Sequence, residues 1–483
     1  MAKKSYTAEP TKLQLCCERG LLALALVTGV YHMLMSIYKY YDAFSGTVLD
    51  HLGHILLGSF LAIGAAYCLF AKLKYPKAFG RITGFLRSLL CPETLLIFLF
   101  LLWYFISCFS ADARYAGDFL TANRSIALDA SVSILVLFPL CLSLSPQKRK
   151  TVLHFIIHII VGLMTVLMAI VLYYVFQPTT LTIPGGEIGM NKATRLCINC
   201  NPNTTGAYAA ILFMLSIYML LCQKPLVKVF YGFAAFVLML VLMLSNSITS
   251  YLAVSAFLCI TVFMFVFNLF SKKSMKARIL FSLGAGVAAV LLFSALRLLT
   301  FAAFEAITHF SELIKANSGV RAIELDHANM RYRSMIWGHA IQGMTTDSQR
   351  AAFGVTPAGV ISLIEMMSDG KIKMYTHNQF LEIGVAMGFP GLILYFIWLV
   401  RIAFNCIKVG LAPEDNAARG AFALPVIILG LVIANLTEAT LLFYHFLPGA
   451  FFFLLCGMVT AEGKQLDLPA FLQLKPNKKK KRR

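Results

Sequence analysis

A histidine between two short polar residues, Thr376-His377-Asn378, closes the polar stretch 301–378 in a chain that is otherwise almost entirely apolar. Imidazole titrates near neutral pH without any perturbation. Held at a membrane–water boundary, it points to proton chemistry on a substrate that resides there. Directly behind it, Phe380-Leu381-Glu382-Ile383-Gly384 and Gly388-Phe389-Pro390-Gly391 open the next apolar segment.

The elements that must position this histidine are membrane helices. The 483 residues are 59% hydrophobic and 13% charged, a balance that excludes a soluble globular class and fits an all-α polytopic membrane protein. About twelve apolar segments are long enough to span, or nearly so, at about 21–39, 53–71, 94–110, 126–145, 152–176, 204–222, 226–244, 251–270, 279–300, 379–400, 420–437 and 441–461. With the N-terminus inside, the inside segments hold 29 Lys and Arg and the outside segments 11. The positive-inside rule then places both termini in the cytoplasm. The formal charge of +20 is therefore topology and contact with anionic membrane lipid, not a nucleic-acid footprint. The tail Lys478–Arg483 reads as an inside anchor, and the first apolar stretch as an uncleaved first helix. The expected organisation is a cytoplasmic N-terminus at 1–20, spans one to nine over 21–300, a large extracytoplasmic loop at 301–378, spans ten to twelve over 379–461 and a basic cytoplasmic tail at 462–483.

Two outside elements stand out. The loop 177–203 carries Pro178, Pro184-Gly185-Gly186 and Gly189, which predict irregular backbone. It ends in Asn201-Pro202-Asn203, a turn before a helix start with Asn203 or Thr204 as cap. Cys197 and Cys200 in this loop form a CxxC with no second pair or nearby histidine, so no metal site is expected; a local disulfide or plain packing both fit. In the large loop, Phe301, Phe304, Ile307, Leu313 and Ile314 fall near one helical face and predict an amphipathic surface helix. A second helix is expected over 331–342, Arg331 to Gln342, and a third from the Thr356-Pro357 start to about Met367.

These motifs carry a family likeness. The chain resembles the bacterial O-antigen ligase and O-antigen polymerase superfamily of polytopic membrane glycosyltransferases. The likeness rests on Arg333 four residues before Trp337, followed by Phe353-Gly354, His377-Asn378, Leu381-Glu382 and the Gly388–Gly391 turn. Asn201-Pro202-Asn203 shortly after Arg195, and Asn435-Leu436-Thr437-Glu438 between the last two spans, add to it. The twelve-span plan with its big loop between spans nine and ten also looks like the family. Where family members often show a Ser-Arg pair at the outer end of the seventh span, this chain reads Ser245-Asn246-Ser247.

The resemblance implies transfer of a glycan from undecaprenyl diphosphate to an acceptor hydroxyl, on the extracytoplasmic face of the bacterial cytoplasmic (inner) membrane. The acceptor is a glycan or lipid-linked: a lipid-core sugar or other envelope acceptor in a ligase of lipopolysaccharide type, the next lipid-linked repeat in a polymerase. A departing diphosphate builds negative charge, which guanidinium groups bind as forks at any working pH. Arg195 and Arg333 match the family positions and take that role. Arg331 rivals Arg333, but the two lie about 200° apart on a helix, so one alone can face a cavity. His377 is the candidate base, able to accept the acceptor's proton with neither metal nor cofactor. Asn378 orients the ring or binds a sugar hydroxyl. Glu438 binds sugar or pairs with an arginine, Tyr375 and Trp337 stack on sugar or anchor at the interface, and Asn203 is a ligand or a cap. Asp129, near the outer end of the fourth span, pairs with Arg124 or Arg114 or serves function. Two further classes stay open: a flippase of the same lipid-linked sugars, which would bury charges at mid-span, and a non-catalytic envelope assembly protein, which would tolerate loss of all three candidate catalytic residues.

Overall fold

The computed structural model describes residues 12–38, 48–74, 91–111, 123–174, 181–183, 186–190, 195–198, 202–270, 273–307, 324–411, 422–443 and 447–466. Five helices lead off: α1 (Lys12–Tyr38), α2 (Val48–Lys74), α3 (Pro92–Ser110), α4 (Arg124–Ser143) and α5 (Pro146–Tyr173). A small antiparallel sheet follows, in the order β1 (Leu181–Ile183), β2 (Gly186–Met190), β3 (Leu196–Ile198). Next come α6 (Pro202–Cys222), α7 (Pro225–Ser245), α8 (Ile248–Leu269) and α9 (Met275–Ile307). The region before the next span holds α10 (Glu324–Thr345), α11 (Ser348–Phe353) and α12 (Val360–Met367). The chain closes with α13 (Gln379–Gly410), α14 (Ala423–Ala434) and α15 (Leu447–Gly463).

Ten helices among the described residues are long and apolar enough to cross a membrane. The expected spans eleven and twelve are the shorter α14 and α15, of 12 and 17 residues. At 1.5 Å per residue the first reaches only about 18 Å, well short of a bilayer core. Several helices start on a proline, Pro92, Pro146 and Pro225, where the missing N–H leaves no donor unpaired. α4, α6 and α15 form the packed centre, whereas α2 and α9 turn most of their apolar side chains outward.

The structure departs from the sequence expectations at four places. The loop 177–203 is not irregular throughout, because Leu181–Ile183, Gly186–Met190 and Leu196–Ile198 pair as the sheet, with Ile188 opposite Ile198. The predicted surface helix at 301–314 is the continuous end of α9 as far as Ile307; residues 308–314 lie outside the described residues. Pro202, not Asn203 or Thr204, opens α6, which puts Asn203 inside the first turn. Asp129 pairs with His32 at 3.1 Å, a partner on α1 that the sequence expectation did not include; Arg114 lies outside the described residues.

Two proline-driven distortions shape the bundle. Pro139 would drive its ring into the carbonyl four residues back, and the helix widens to a π-turn over Ser133–Leu137 to admit it. In α13, Pro390 removes the donor for Ala386 O, and Gly388 leaves helical geometry at φ 71, ψ −177. The carbonyls so released find partners elsewhere: Val355 N donates to Val385 O at 2.9 Å, Thr356 N to Ala386 O at 2.9 Å, and Trp103 Nε1 to Met387 O at 2.9 Å. The kink is thus a docking strip for the segment after α11. Gly354 at φ 72 crosses it so closely that a Cβ there would lie 2.3 Å from Ala386 C.

Candidate functional site

Glu438 is the meeting point. The turn that carries it follows α14 and is closed by Asn435, whose Oδ1 accepts from Thr440 N at 2.7 Å and whose Nδ2 donates to Leu431 O at 2.8 Å. Gln379 ties this turn to the start of α13: its N–H donates to Asn435 O at 3.0 Å, and its Oε1 accepts from Leu441 N and Leu442 N. Two segments distant in sequence are thereby fixed against each other through main-chain groups.

The Thr376-His377-Asn378 segment is held just as firmly. Asn378 caps α13, its Oδ1 accepting from Phe380 N at 2.9 Å and Leu381 N at 3.1 Å, while its Nδ2 donates to Leu436 O. The fully buried Glu382 carboxylate accepts from Thr376 N at 2.9 Å and Thr376 Oγ1 at 2.6 Å. Trp337 Nε1 donates to Thr376 O at 2.9 Å. Between these anchors His377 adopts φ 51, a left-handed conformation that histidine tolerates better than most residues. The result is an imidazole aimed at Glu438, with His377 Nδ1 2.9 Å from Oε1.

Three more groups complete the surround. Tyr375 donates its hydroxyl to Glu438 Oε1 at 2.5 Å, and its ring lies 4.2 Å from that of His377, centroid to centroid. Arg333 Nη2 stands 3.7 Å from Glu438 Oε2. Asn203 Nδ2 reaches the same oxygen at 3.4 Å, while its Oδ1 accepts from Arg195 Nη2 at 2.8 Å. Arg195 also donates from Nε to Ser245 O at 2.9 Å and from Nη2 to Asn246 O at 3.0 Å, which places a cation on the carbonyl end of α7 where the helix dipole favours one.

The electrostatics follow from this geometry. Burial pushes the Glu438 carboxyl up, but the hydrogen bond and charge of His377, the Tyr375 hydroxyl and the Arg333 guanidinium together hold it below the ordinary carboxylate value. A carboxylate only accepts hydrogen bonds. His377 therefore carries a proton on Nδ1 and, when neutral, presents Nε2 as a lone-pair acceptor. The side chain of Glu438 is 3% exposed, against 12% for His377 and 19% for Arg333, so access to the cluster lies on the His377–Arg333 side.

Of the residues singled out in the sequence, the structure brings together His377, Arg333, Glu438, Tyr375, Asn203 and Arg195. Asn378 and Trp337 adjoin them but spend their polar atoms on holding the backbone, and Asn203 is a bridge rather than a cap. The side chains of Arg331 and Cys197, and Cys200 as a whole, lie outside the described residues. Glu382 and Asn435 were quoted within motifs but given no role, and Gln379 was not singled out. The signal for Glu382 was its place in the first turn of a helix, where an acidic residue is favoured.

The fold and the cluster together define a helical protein with membrane-spanning character and a histidine–carboxylate–arginine site at the helix ends. Residues 233–396 match the family model Wzy_C, O-Antigen ligase, which shows the likeness to the O-antigen ligase and polymerase superfamily over that segment. The match takes in Arg333, Trp337, His377 and Asn378 and stops short of Arg195, Asn203 and Glu438 at either side. No curated protein matches the chain.

Proposed function

We propose that this protein is a membrane glycosyltransferase of O-antigen ligase or polymerase type. It transfers or polymerises a glycan from an undecaprenyl-diphosphate-linked donor onto an acceptor hydroxyl at the outer face of the cytoplasmic membrane. The observation that carries the proposal is the His377 Nδ1–Glu438 contact of 2.9 Å with Arg333 beside it. A sugar hydroxyl is a poor nucleophile until a base takes its proton during attack. Glu438 fixes the imidazole so that Nε2 faces outward, and it stabilises the imidazolium that forms. As the acceptor oxygen bonds to the anomeric carbon, the bond to the diphosphate breaks, and the electron pair leaves with the diphosphate. Arg333 and Arg195 supply positive charge for it. Attack opposite to departure inverts the anomeric centre. The Lys and Arg asymmetry of the loops supports the outer-face placement.

The test is reconstitution in proteoliposomes with an undecaprenyl-diphosphate oligosaccharide and a candidate acceptor. Transfer that persists in chelator and is lost in His377→Ala of unchanged folding supports the mechanism. Unchanged transfer in that variant, or retained anomeric configuration in the product, overturns it.

A further inference from the structure

Arg297 belongs to none of the motifs above. It lies in the last third of α9 and sends Nη2 to Asn246 Oδ1 at 2.5 Å. Its guanidinium sits 4.8 Å from the centroid of the Tyr251 ring. Asn246 is the left-handed residue that ends α7, at φ 48, ψ 39. The main-chain oxygen of this same Asn246 accepts from Arg195 at 3.0 Å. One residue thus gathers two guanidinium groups from separate parts of the chain, one on its side-chain oxygen and one on its carbonyl.

The arrangement is rigid. Tyr251 stacks on Phe293 with ring centroids 5.0 Å apart, and Thr300 Oγ1 reaches Met243 Sδ at 3.2 Å. These contacts tie this stretch of α9 to α7 and α8. An arginine near a span terminus ordinarily extends toward the headgroups; here it folds back onto the protein. Two guanidinium groups gathered at one residue offer an approaching anion a pair of permanent, fork-shaped donors. The pair is continuous with the site, because Arg195 bonds Asn203, and Asn203 bonds Glu438. It also adjoins an exposed apolar surface, because the neighbouring Leu298 and Leu299 are 69% and 64% exposed.

From this we infer that Arg297 is a further binding residue for the donor's diphosphate, paired with Arg195 on the lipid-proximal side of the site. Arg333, beside His377, meets the phosphate attached to the sugar. Arg195 and Arg297 meet the phosphate attached to the polyprenyl chain, which leaves the protein past Leu298 and Leu299. The inference rests on the glycan-transferase reading. It commits to a lipid-linked phosphate rather than to a bulk anionic headgroup.

The experiment measures donor KM in vesicles of zwitterionic lipid alone, for the full chain and for Arg297→Ala, Arg297→Gln and Arg297→Lys. The Ala and Gln variants should raise donor KM roughly 10- to 100-fold, the factor that a hydrogen bond to a charged group is worth. Acceptor KM should hold, and Arg297→Lys should recover part of the loss. Unchanged donor KM in both neutral variants overturns the inference, as does a defect that arises only when anionic phospholipid is added. Titration with inorganic pyrophosphate supplies a readout apart from turnover: weaker binding in Arg297→Gln than in the unaltered protein supports the inference, and equal binding overturns it. An unaltered protein that binds pyrophosphate through Arg297 yet transfers no glycan would remove the transferase reading while leaving the anion seat standing.

Discussion

Glu438 Oε1 lies 2.9 Å from His377 Nδ1 although 61 positions separate them in the chain. The carboxylate is buried and the imidazole is partly open. The histidine is therefore backed by an anion that solvent barely reaches, and its second nitrogen is the one left to meet a substrate.

Removing that anion should cost turnover more than affinity. Glu438→Gln keeps the shape and most of the hydrogen bonding but not the charge that favours the imidazolium. A drop in kcat of about 10- to 100-fold with little change in KM is expected, against roughly 10²- to 10⁴-fold for His377→Ala. Kinetics on both variants check the order. Equal kcat for Glu438→Gln and unaltered protein would reduce Glu438 to packing.

The same carboxylate gives a pH signature in stability. Its folded value lies below the ordinary 4.5, so the ionised form is favoured by folding. That contribution is fully present above the unfolded value and is lost as pH falls through the folded one. Thermal unfolding of unaltered protein and Glu438→Gln, followed from pH 7 downward, should show a gap in Tm that holds to about 4.5 and closes below it. A gap that closes between pH 7 and 6 would contradict the assignment.

Much of this was legible in the sequence because it rests on local signals. Apolar length marked the long spans. A proline marked the start at Pro357, although the Thr356 hydroxyl accepts from Asn123 instead of capping it. The polar boundary singled out His377, and the family likeness singled out Arg333 and Glu438. What escaped depends on tertiary donors. No local pattern shows that Pro390 releases carbonyls which Val355, Thr356 and Trp103 then satisfy, or that Gln379 serves the turn after α14. Asn203 and Asn378 illustrate the limit from both sides. Each carries a cap-forming side chain beside a helix start, yet Asn378 caps while Asn203 bridges Arg195 to Glu438, because α6 starts at Pro202, two residues before the Thr204 start that an Asn203 cap requires.

Asn378 provides a sharp test of structural against sugar-binding roles. Its Oδ1 caps α13 through two main-chain N–H groups. Asn378→Ala should destabilise by about 0.5–2 kcal/mol, and Asn378→Asp or Asn378→Ser should recover most of that. Thermal shifts measure the first effect and acceptor KM the second. If Asn378→Ser recovers Tm but leaves acceptor KM raised, the side chain touches sugar as well as the helix.

The kink in α13 docks the segment after α11 through main-chain hydrogen bonds, so its supports should be among the least replaceable in the chain. Gly388 at φ 71, ψ −177 and Gly354 at φ 72, ψ −158 occupy backbone regions that only glycine enters without strain of roughly 1–3 kcal/mol. A Cβ on Gly388 would also lie 2.4 Å from Ala352 O, a main-chain atom that cannot rotate away. Gly388→Ala and Gly354→Ala should therefore lower Tm well beyond the strain alone. Trp103→Phe isolates a different contribution: it keeps an aromatic ring to stack on Phe353, 5.5 Å away, but removes the donor to Met387 O. The cost should be about 1–3 kcal/mol, that of a buried carbonyl left unpaired. Since Met387 lies ten residues beyond His377, and His377 is held by its own anchors at Asn378, Glu382 and Trp337, transfer kinetics of the folded fraction of Trp103→Phe should remain near those of unaltered protein. A fall in kcat matching that of His377→Ala would instead mean that the kink sets the imidazole's position as well as the helix's path.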